Sequence, residues 1–257
     1  MIIDTHAHLN DEVYDDLDRI IGEMEADNLE KIVCASADFS GSKKAVEIAN
    51  NNDKIYAMIG LHPENAFEYN DEVEKFLIKE SENKKVVAIG EIGLDYHYEN
   101  FDKELQQKVF LKQLEIAYKV KLPVVIHVRD AYEDILNIMK SHKELLKYGG
   151  VIHCFSGSVE VAREFIELGF KIAFGGVLTF KNAKKAVEVA EKIDIKHFVV
   201  ETDCPWLCPE PFRGQRNEPK NTNFVVQKLA DIKHMQKCFV EKILLYNTYE
   251  LFGKLER

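Results

Sequence analysis

The sequence lacks the features that mark membrane-spanning, secreted and nucleic-acid-coating proteins. It has no apolar run long enough to span a bilayer, and its start, MIIDTHAH, lacks the basic and apolar regions of a signal peptide. The five cysteines are odd in number and scattered, which is typical of reduced thiols. A formal charge of −10 at pH 7 argues against coating nucleic acid through bulk electrostatics. We therefore expect a cytoplasmic globular protein with no membrane partner.

Two phosphate-binding signatures are also missing. Neither the G-x-G-x-x-G dinucleotide pattern nor the G-x-x-x-x-G-K-[ST] phosphate loop occurs in the sequence. Their absence argues against a doubly wound open sheet, which is the structural alternative for an α/β chain of 257 residues. No linker, low-complexity segment or shift in composition divides the chain. We therefore predict one domain over residues 1–257.

Eight short apolar runs alternate with charged stretches that have helical periodicity. The runs lie at 2–8, 31–36, 54–62, 85–93, 122–128, 149–155, 170–176 and 197–203. In the stretch 101–120, Phe110, Leu114, Ala117 and Tyr118 fall on one stripe of a helix. Apolar strands that alternate with helices indicate a parallel sheet covered by helices. The pattern predicts a single-domain (β/α)8 TIM barrel, with an additional C-terminal helix at 237–253 packed outside.

Polar side chains follow nearly all of these runs, where barrel enzymes build their sites. Strand residues i and i+2 point to the same side, so His6 and His8 project together. The carboxyl ends of the eight strands share one rim. The polar residues predicted for this rim are His6, His8, His62, Glu91, Asp95, His127, Arg129, His153, Glu201 and Asp203. Five histidines and four carboxylates on one rim favour a metal site.

The donor set also predicts how many ions are bound. Six candidate ligands exceed the three protein ligands of a typical catalytic zinc, and two ions use them all. The candidate metal ligands are His6, His8, Glu91, His127, His153 and Asp203. Glu91 would bridge the ions, with His6, His8 and Asp203 on one ion and His127 and His153 on the other. A hydroxide between the ions would attack, and Asp203 would accept the proton of the water.

Seven short sequence segments occur in the same order as in a known protein family. They are DTHAHL, GLHP, GEIGLDY, HVRD, HCFSG, ETDCPWL and RGQRNEP, between residues 4 and 219. With them the chain resembles the TatD family of metal-dependent deoxyribonucleases. The resemblance implies hydrolysis of DNA phosphodiester bonds at ends or single strands, without sequence specificity and from the 3′ end. It implies the same six metal ligands. From the roles assigned above, we predict that Asp203 and Glu91 are the catalytic residues.

The resemblance also bears on the substrate pocket. It implies that His62 helps to hold the substrate and that Glu201 is a pocket residue, while Arg213 and Asn217 match an RGxxNEP pattern. Arg129, two residues after His127, could grip a phosphate oxygen. We therefore predict that these five residues contact the substrate. Many related barrels bridge their metals with a carbamylated lysine, but here the position is Glu91.

Two other functions stay open at this stage. A lactonase, amidase or phosphoesterase acting on small molecules would use the same binuclear site, and the acidic composition favours it slightly. Arg129, Arg213 and Arg216 favour a phosphate-bearing substrate instead. A vestigial site in a protein that binds a partner is the third alternative. The two ions could be Mg²⁺, Mn²⁺ or Zn²⁺, and no obligate protein partner is predicted.

Overall fold

Eight parallel strands follow one another around a barrel in chain order. The computed structural model describes residues 1–255. The strands are β1 (Ile2–Ala7), β2 (Leu29–Cys34), β3 (Ile55–Ile59), β4 (Val86–Asp95), β5 (Val124–Arg129), β6 (Gly150–Ile152), β7 (Phe170–Phe174) and β8 (Phe198–Val200). A parallel bridge between Ala7 and Cys204 joins the first strand to the segment after the last. The predicted (β/α)8 barrel is confirmed.

Helices connect the strands and cover the outside of the barrel. In residues 1–255 they are α1 (Leu17–Glu23), α2 (Phe39–Asn50), α3 (Asp71–Glu80), α4 (Lys103–Val120), α5 (Tyr132–Ser141), α6 (Val159–Glu167), α7 (Lys184–Lys192), α8 (Thr222–Lys233) and α9 (Lys237–Leu251). The side chains of Asp38, Asn70, Asp102 and Ser158 accept backbone N–H bonds at the starts of four of them. None of the helices described is long and apolar enough to cross a membrane.

The predicted stripe on α4 is correct at three of its four positions. Phe110, Leu114 and Ala117 are buried against the sheet. Tyr118 is 42% exposed and its ring tilts towards that of Tyr148, so its assignment to the buried stripe was wrong. At 3.6 residues per turn Tyr118 lies at the edge of the stripe, where the curvature of the barrel leaves room for solvent.

The barrel has two apolar layers. The larger one lies between the strands and the surrounding helices. The smaller one fills the barrel interior with residues such as Ile3, Val33, Val87, Val125 and Val199. Short and β-branched side chains suit this narrow interior. Because both faces of the strands are buried, the strands read as continuous apolar runs in the sequence.

The C-terminal helix closes one end of this interior. Helix α9 packs outside on β1, β8 and α8, as predicted. The residues after it turn inward, so that Phe252 and Leu255 join the interior layer. The Asn247 amide donates to the carbonyl oxygen of Ile195, just before β8, and to that of Phe198, its first residue. The end of the barrel where the strands begin is thereby sealed, and the polar rim lies at the opposite end.

Candidate metal centre

The polar rim gathers side chains from five strand ends into one buried cluster. Its members come from β1, β4 and β5 and from the first residues after β1, β6 and β8. Histidine rings stack within it, with ring centroids of His6 and His153 3.7 Å apart. The central cavity has a volume of about 190 Å³ and is lined by His8, Ala37, His62, Glu64, Glu91, His127, His153, Asp203 and Trp206. The fold therefore brings together all six predicted metal ligands.

One group of donors comes from the first and last strands. The Nε2 atoms of His6 and His8 are 3.1 Å apart. Asp203 Oδ1 lies 3.4 Å from His8 Nε2 and 3.8 Å from His6 Nε2. Three donor atoms thus converge on one point, as the ligands of a single cation do.

A second group comes from the middle strands, and Glu91 belongs to both. Its Oε1 lies 2.9 Å from His127 Nδ1 and 3.6 Å from His153 Nε2. Its Oε2 lies 3.4 Å from His6 Nε2, in the first group. One carboxylate oxygen therefore faces each group, which is the arrangement of a bridging ligand.

The electrostatics of the cluster fit divalent cations. Burial opposes a charge on His127, but the hydrogen bonds that its ring donates to Asp95 and Glu91 outweigh burial and raise its pKa to about 9. At His153 the negative charges of Glu201, Glu91 and Asp203 likewise outweigh the effect of burial and raise the pKa of the ring to about 10. His6 Nδ1 is buried and has no hydrogen-bond partner among the described residues. The carboxylates thus attract positive charge to a point where imidazole and carboxylate donors, a set suited to zinc or manganese, already converge.

Comparison with known proteins agrees with this geometry. The family profile described as TatD related DNase matches residues 3–253. The chain belongs to the TatD family of metal-dependent hydrolases. Over 253 residues it is 44% identical to metal-dependent hydrolase YabD of Bacillus subtilis. The alignment covers 98% of this chain and 99% of that protein. The family predicted from the seven motifs is confirmed.

Solved structures of TatD relatives have the same fold. A crystal structure of the TatD homologue YjjV from Escherichia coli superposes with a TM-score of 0.92, at 32% identity and covering 98% of each chain. A TatD family hydrolase from Entamoeba histolytica gives a TM-score of 0.88 at 26% identity, covering 99% of this chain and 98% of that one. Both structures match the barrel over nearly the whole chain.

Carboxyl groups behind the candidate metal ligands of this TatD family member hold them in place. The buried Glu201 carboxylate accepts the Cys154 N–H at 2.6 Å and lies 3.0 Å from His153 Nδ1. Asp4 accepts bonds from the Thr202 hydroxyl, the Thr202 N–H and the His6 N–H. Burial raises the pKa of Asp4 to about 8. Asp4 therefore ties the strand that carries His6 to the segment that carries Asp203.

Two buried glutamines of α4, which the sequence reading missed, support the same rim. Gln106 accepts the Asp95 N–H at 2.9 Å and donates to the Asp95 carbonyl at 2.9 Å. Gln113 forms the same pair of bonds with Leu61, at 2.8 and 3.0 Å. Seven residues make about two helical turns, so both amides lie on one face of α4. Their spacing on a predicted buried stripe was the signal that could have revealed them.

Within residues 1–255 of this TatD family member, the side chains of three of the five predicted substrate residues are not tied up by hydrogen bonds to buried neighbours, and the other two are described below. His62 lines the cavity, with its Nε2 3.9 Å from Glu91 Oε1. Arg129 is exposed at the rim, with its guanidinium carbon 5.4 Å from the Tyr98 ring centroid. The guanidinium carbon of Arg213 lies 4.2 Å from the Phe180 ring centroid. Among the described residues, neither arginine forms an ion pair with a carboxylate.

Glu201 and Asn217 are not open to a substrate in this structure. Glu201 is 1% exposed and faces Cys154 and His153. Asn217 is fully buried, and its amide nitrogen donates to the carbonyls of Thr202 and Trp206. Its amide oxygen accepts bonds from the Glu218 N–H and the Asn221 amide. Both side chains hold the loops after β6 and β8 in place.

Arg216 was expected near the site but is bound elsewhere. Its guanidinium donates to both carboxylate oxygens of Asp16, at 2.9 and 2.7 Å, and to Glu218 at 2.8 Å. Asp16 and Glu218 also accept bonds from Arg19. The charge of Arg216 is therefore neutralised by neighbours that sequence spacing could not reveal.

Two exposed aromatic rings lie at the rim, and no role was predicted for them from the sequence. Trp206 is 51% exposed, and its ring lies edge-on to that of His8 with centroids 5.0 Å apart. Tyr98 is 56% exposed and lies next to Arg129. Large aromatic rings usually bury most of their surface, so rings left open around a cavity suggest contact with a ligand.

Proposed function

We propose that this protein hydrolyses phosphodiester bonds at the 3′ ends of single-stranded DNA, removing nucleotides in the 3′-to-5′ direction. The observation that carries the proposal is the position of Glu91 between two groups of ligands. Two bound divalent cations would make water more acidic and offset the negative charge of the phosphate. His6, His8 and Asp203 would hold one cation, His127 and His153 the other, and Glu91 both.

Asp203 is the best-placed group to accept the proton of an attacking water. Its side chain is 15% exposed at the cavity, whereas that of Glu91 is 4% exposed. Burial opposes ionisation of Asp203, but His153, His8 and His6 outweigh it and lower its pKa. Asp203 is therefore an ionised carboxylate in contact with the cavity, as a general base must be.

His62 presents a hydrogen-bond donor to the same cavity. Its Nδ1 accepts the Glu64 N–H at 3.2 Å, so that nitrogen carries no proton. Burial lowers the pKa of His62 to about 4, so the ring is neutral at pH 7 and its proton is on Nε2. The Nε2–H points to the side of the cavity where Glu91 lies, and we propose that it donates to a non-bridging oxygen of the phosphate.

The rim supplies contacts that suit an unpaired nucleotide end. The central cavity of about 190 Å³ is small compared with ligand pockets of ~300–1,000 Å³, so it suits one phosphate and its sugar better than a duplex. Bases next to that phosphate could stack on Trp206 or Tyr98, and stacking on aromatic rings tolerates any base sequence. Arg129 would hold a neighbouring phosphate. The 3′ polarity rests on the resemblance to TatD deoxyribonucleases.

One observation favours a second candidate, a small-molecule ester or lactone hydrolase. Acidic side chains surround the mouth of the site, including Glu64 on the central cavity and Asp11, Glu12 and Asp38 on a neighbouring cavity beside Trp206. A negative mouth repels a long polyanion more than it repels a short or neutral substrate. The same ligands would then serve attack on a carbonyl carbon.

The test compares 3′-labelled and 5′-labelled single-stranded DNA in EDTA, Mg²⁺, Mn²⁺ and Zn²⁺, with a lactone panel in parallel. We expect stepwise loss from the 3′ end that needs a divalent ion and is lost in Asp203→Ala. The matched control is Asp53→Ala, which removes an exposed carboxylate before β3. Faster hydrolysis of lactones than of DNA would overturn the nuclease proposal in favour of the second candidate. Equal activity of the Asp203→Ala protein would overturn the assignment of the site.

A further inference from the structure

A second, larger cavity lies at the opposite end of the barrel from the metal centre. Its volume is about 690 Å³, and it opens where β6 and β7 begin, at Gly150 and Phe170. Helix α9 forms its other wall through Lys242 and Tyr246. A volume of this order is typical of sites for cofactor-sized ligands of ~300–1,000 Å³. The candidate metal ligands all lie in the carboxyl-terminal parts of strands or just after them, and none of them lines this basal cavity.

The basal cavity is positively charged in a protein that carries a formal charge of −10. Its ionised lining residues are Lys171, Lys196, Lys242 and Glu250. The Glu250 carboxylate forms an ion pair with Lys171, whose Nζ is 2.8 Å from it. Lys196 Nζ has a looser contact of 3.6 Å with Asp194, and Lys242 has no carboxylate partner among the described residues. The Lys242 ammonium group is thus available to an anion, and that of Lys196 becomes available if an anion replaces its looser contact with Asp194.

Lys171 links two walls of the cavity through hydrogen bonds. Its side chain is 14% exposed, and its Nζ donates to the Lys196 carbonyl at 3.2 Å as well as to Glu250. These bonds join the loop before β8 to helix α9, the two sides of the cavity. Burial, Lys196 and Lys171 lower the pKa of His197, another lining residue, which agrees with an excess of positive charge here.

Aromatic rings line the same cavity. Tyr246 is 59% exposed although it lies in the middle of α9. Tyr148 is half-buried, and Phe170 is buried beneath them. An open tyrosine ring beside lysines offers a stacking surface together with point charges that suit phosphate. This combination selects a ligand that has both a flat ring and an anionic group.

We propose that the basal cavity is a binding site for a nucleotide-sized organic phosphate. Lys196 and Lys242 would hold the phosphate, and Tyr246 would stack on the aromatic ring. The cavity volume, the two lysine ammonium groups and the exposed ring each support one part of this ligand. The site does not depend on the proposed nuclease activity, because it shares no residue with the metal centre.

The test is titration calorimetry of the full chain with deoxyguanosine 5′-monophosphate as the probe. The protein carries Asp203→Ala and is kept in EDTA, so that phosphate binding at the metal centre does not contribute. Inorganic phosphate and deoxyguanosine are titrated separately. We expect the nucleotide to bind about tenfold or more tightly than either part, because the lysines and the ring act together.

Variants assign the binding to the cavity. We expect Lys196→Ala/Lys242→Ala to weaken nucleotide binding by about tenfold or more, since both charge-assisted contacts are lost. Tyr246→Ala should weaken it as well, and Tyr246→Phe should retain it. The matched control is Lys108→Ala/Lys119→Ala, which removes two exposed lysines from α4. Thermal unfolding of each variant checks that the fold is intact.

Three results would overturn the proposal. The first is no measurable heat of binding for the nucleotide. The second is unchanged affinity in the folded Lys196→Ala/Lys242→Ala protein, which would place the nucleotide elsewhere. The third is binding of inorganic phosphate as tight as that of the nucleotide, which would leave an anion site with no role for Tyr246. Because the probe is titrated into a protein without a working metal centre, these results do not bear on the nuclease proposal.

Discussion

At the scale of single residues, the position of Glu91 matters most. Each of its oxygens faces a different group of histidines, so its carboxylate is shared between the two halves of the cluster. A bridging ligand of this kind ties the affinity of one metal position to that of the other. Asp203 and His62 line the same cavity as Glu91.

Replacing Glu91 with alanine should abolish binding of a pair of metal ions. Both groups lose their shared anion, and four histidines are left with only Asp203 as a carboxylate ligand. We expect the metal content, measured by mass spectrometry after gel filtration, to fall from two ions per chain to one or none. Glu82→Ala, an exposed glutamate before β4, is the control. Two ions retained in the Glu91→Ala protein would refute the bridge.

Replacing Arg129 with alanine should mainly weaken substrate binding. The guanidinium lies at the rim beside Tyr98 and lines no part of the central cavity. We expect KM for single-stranded DNA to rise about tenfold while kcat changes little, as for the loss of one charge-assisted contact. Steady-state kinetics at fixed ionic strength measure both constants. A fall in kcat at constant KM would instead indicate that Arg129 contacts the transition state.

Trp206 offers a sharper test of the kind of substrate. If bases stack on its ring, Trp206→Ala should raise KM for single-stranded DNA by about fivefold or more, and Trp206→Phe should restore most of the loss. The same variants should leave hydrolysis of a base-free phosphodiester unchanged. Equal loss on both substrates would show that Trp206 acts by supporting the neighbouring His8 ring and does not bind bases.

At the scale of elements, β4 places the bridging carboxylate through its contact with β5. Glycines flank Glu91 in GEIG, and both face the neighbouring strand closely. A Cβ on Gly90 would lie 2.7 Å from the Cβ of Val125. A Cβ on Gly93 would lie 1.9 Å from the carbonyl oxygen of His127. The two strands can therefore approach closely only without these side chains, which brings Glu91 and His127 within hydrogen-bond distance.

Gly93→Ala should destabilise the barrel severely. Its φ is +149°, which L side chains rarely adopt, and the clash is with backbone that cannot turn away. We expect the free energy of unfolding to fall by about 3 kcal/mol or more, measured by urea denaturation. The control is Gly22→Ala in α1, where a Cβ meets nothing within 4 Å. Similar stability of the two variants would contradict this account of the β4–β5 contact.

At the scale of the whole molecule, the first and last parts of the chain are joined beside the site. Asp4 binds Thr202, and the Tyr14 hydroxyl donates to the Asn217 carbonyl at 2.6 Å. On the surface, Arg19 and Arg216 share the carboxylates of Asp16 and Glu218. These contacts hold the loop after β8, and with it Asp203, against β1.

This surface network should make stability depend on pH in a predictable direction. Burial opposes ionisation of Glu218, but Lys220, Arg216 and Arg19 outweigh it and lower its pKa to about 2. A pKa lowered by folding stabilises the protein above the unfolded value and loses that effect as the pH falls. We therefore expect Glu218→Gln to cost ~1–2 kcal/mol at pH 7 after allowance for solvent screening.

The measurement is urea unfolding of both proteins between pH 7 and pH 3. The difference in the free energy of unfolding should shrink below about pH 5 and become small as the pH approaches the folded pKa. Glu64→Gln is the control, because Glu64 is an exposed glutamate outside this network. A constant difference across the whole range would mean that Glu218 contributes through packing and not through its charge.

The sequence alone determined the order of the strands and the set of candidate metal ligands. Strand runs such as 85–93 are apolar because both faces are buried, and residues just after a parallel strand must lie on one rim. His6 and Glu91 could therefore be placed together without coordinates. The bridging role of Glu91 was also predicted from the sequence, whereas the contacts of each donor and the oxygen of Glu91 that faces each group needed the structure, since they depend on distances across the barrel.

Only the tertiary structure decided which polar groups are free and which are already bound. Asn217 and Arg216 lie in a motif that suggested substrate contact, yet their partners include Thr202 and Asp16, the latter 200 residues away. No role was predicted for Trp206, yet its ring stands open beside His8. Local periodicity in the sequence determines the helices and strands. The hydrogen-bond partner of a buried polar group is instead any group that the fold brings near it, and that group can be far away in the chain.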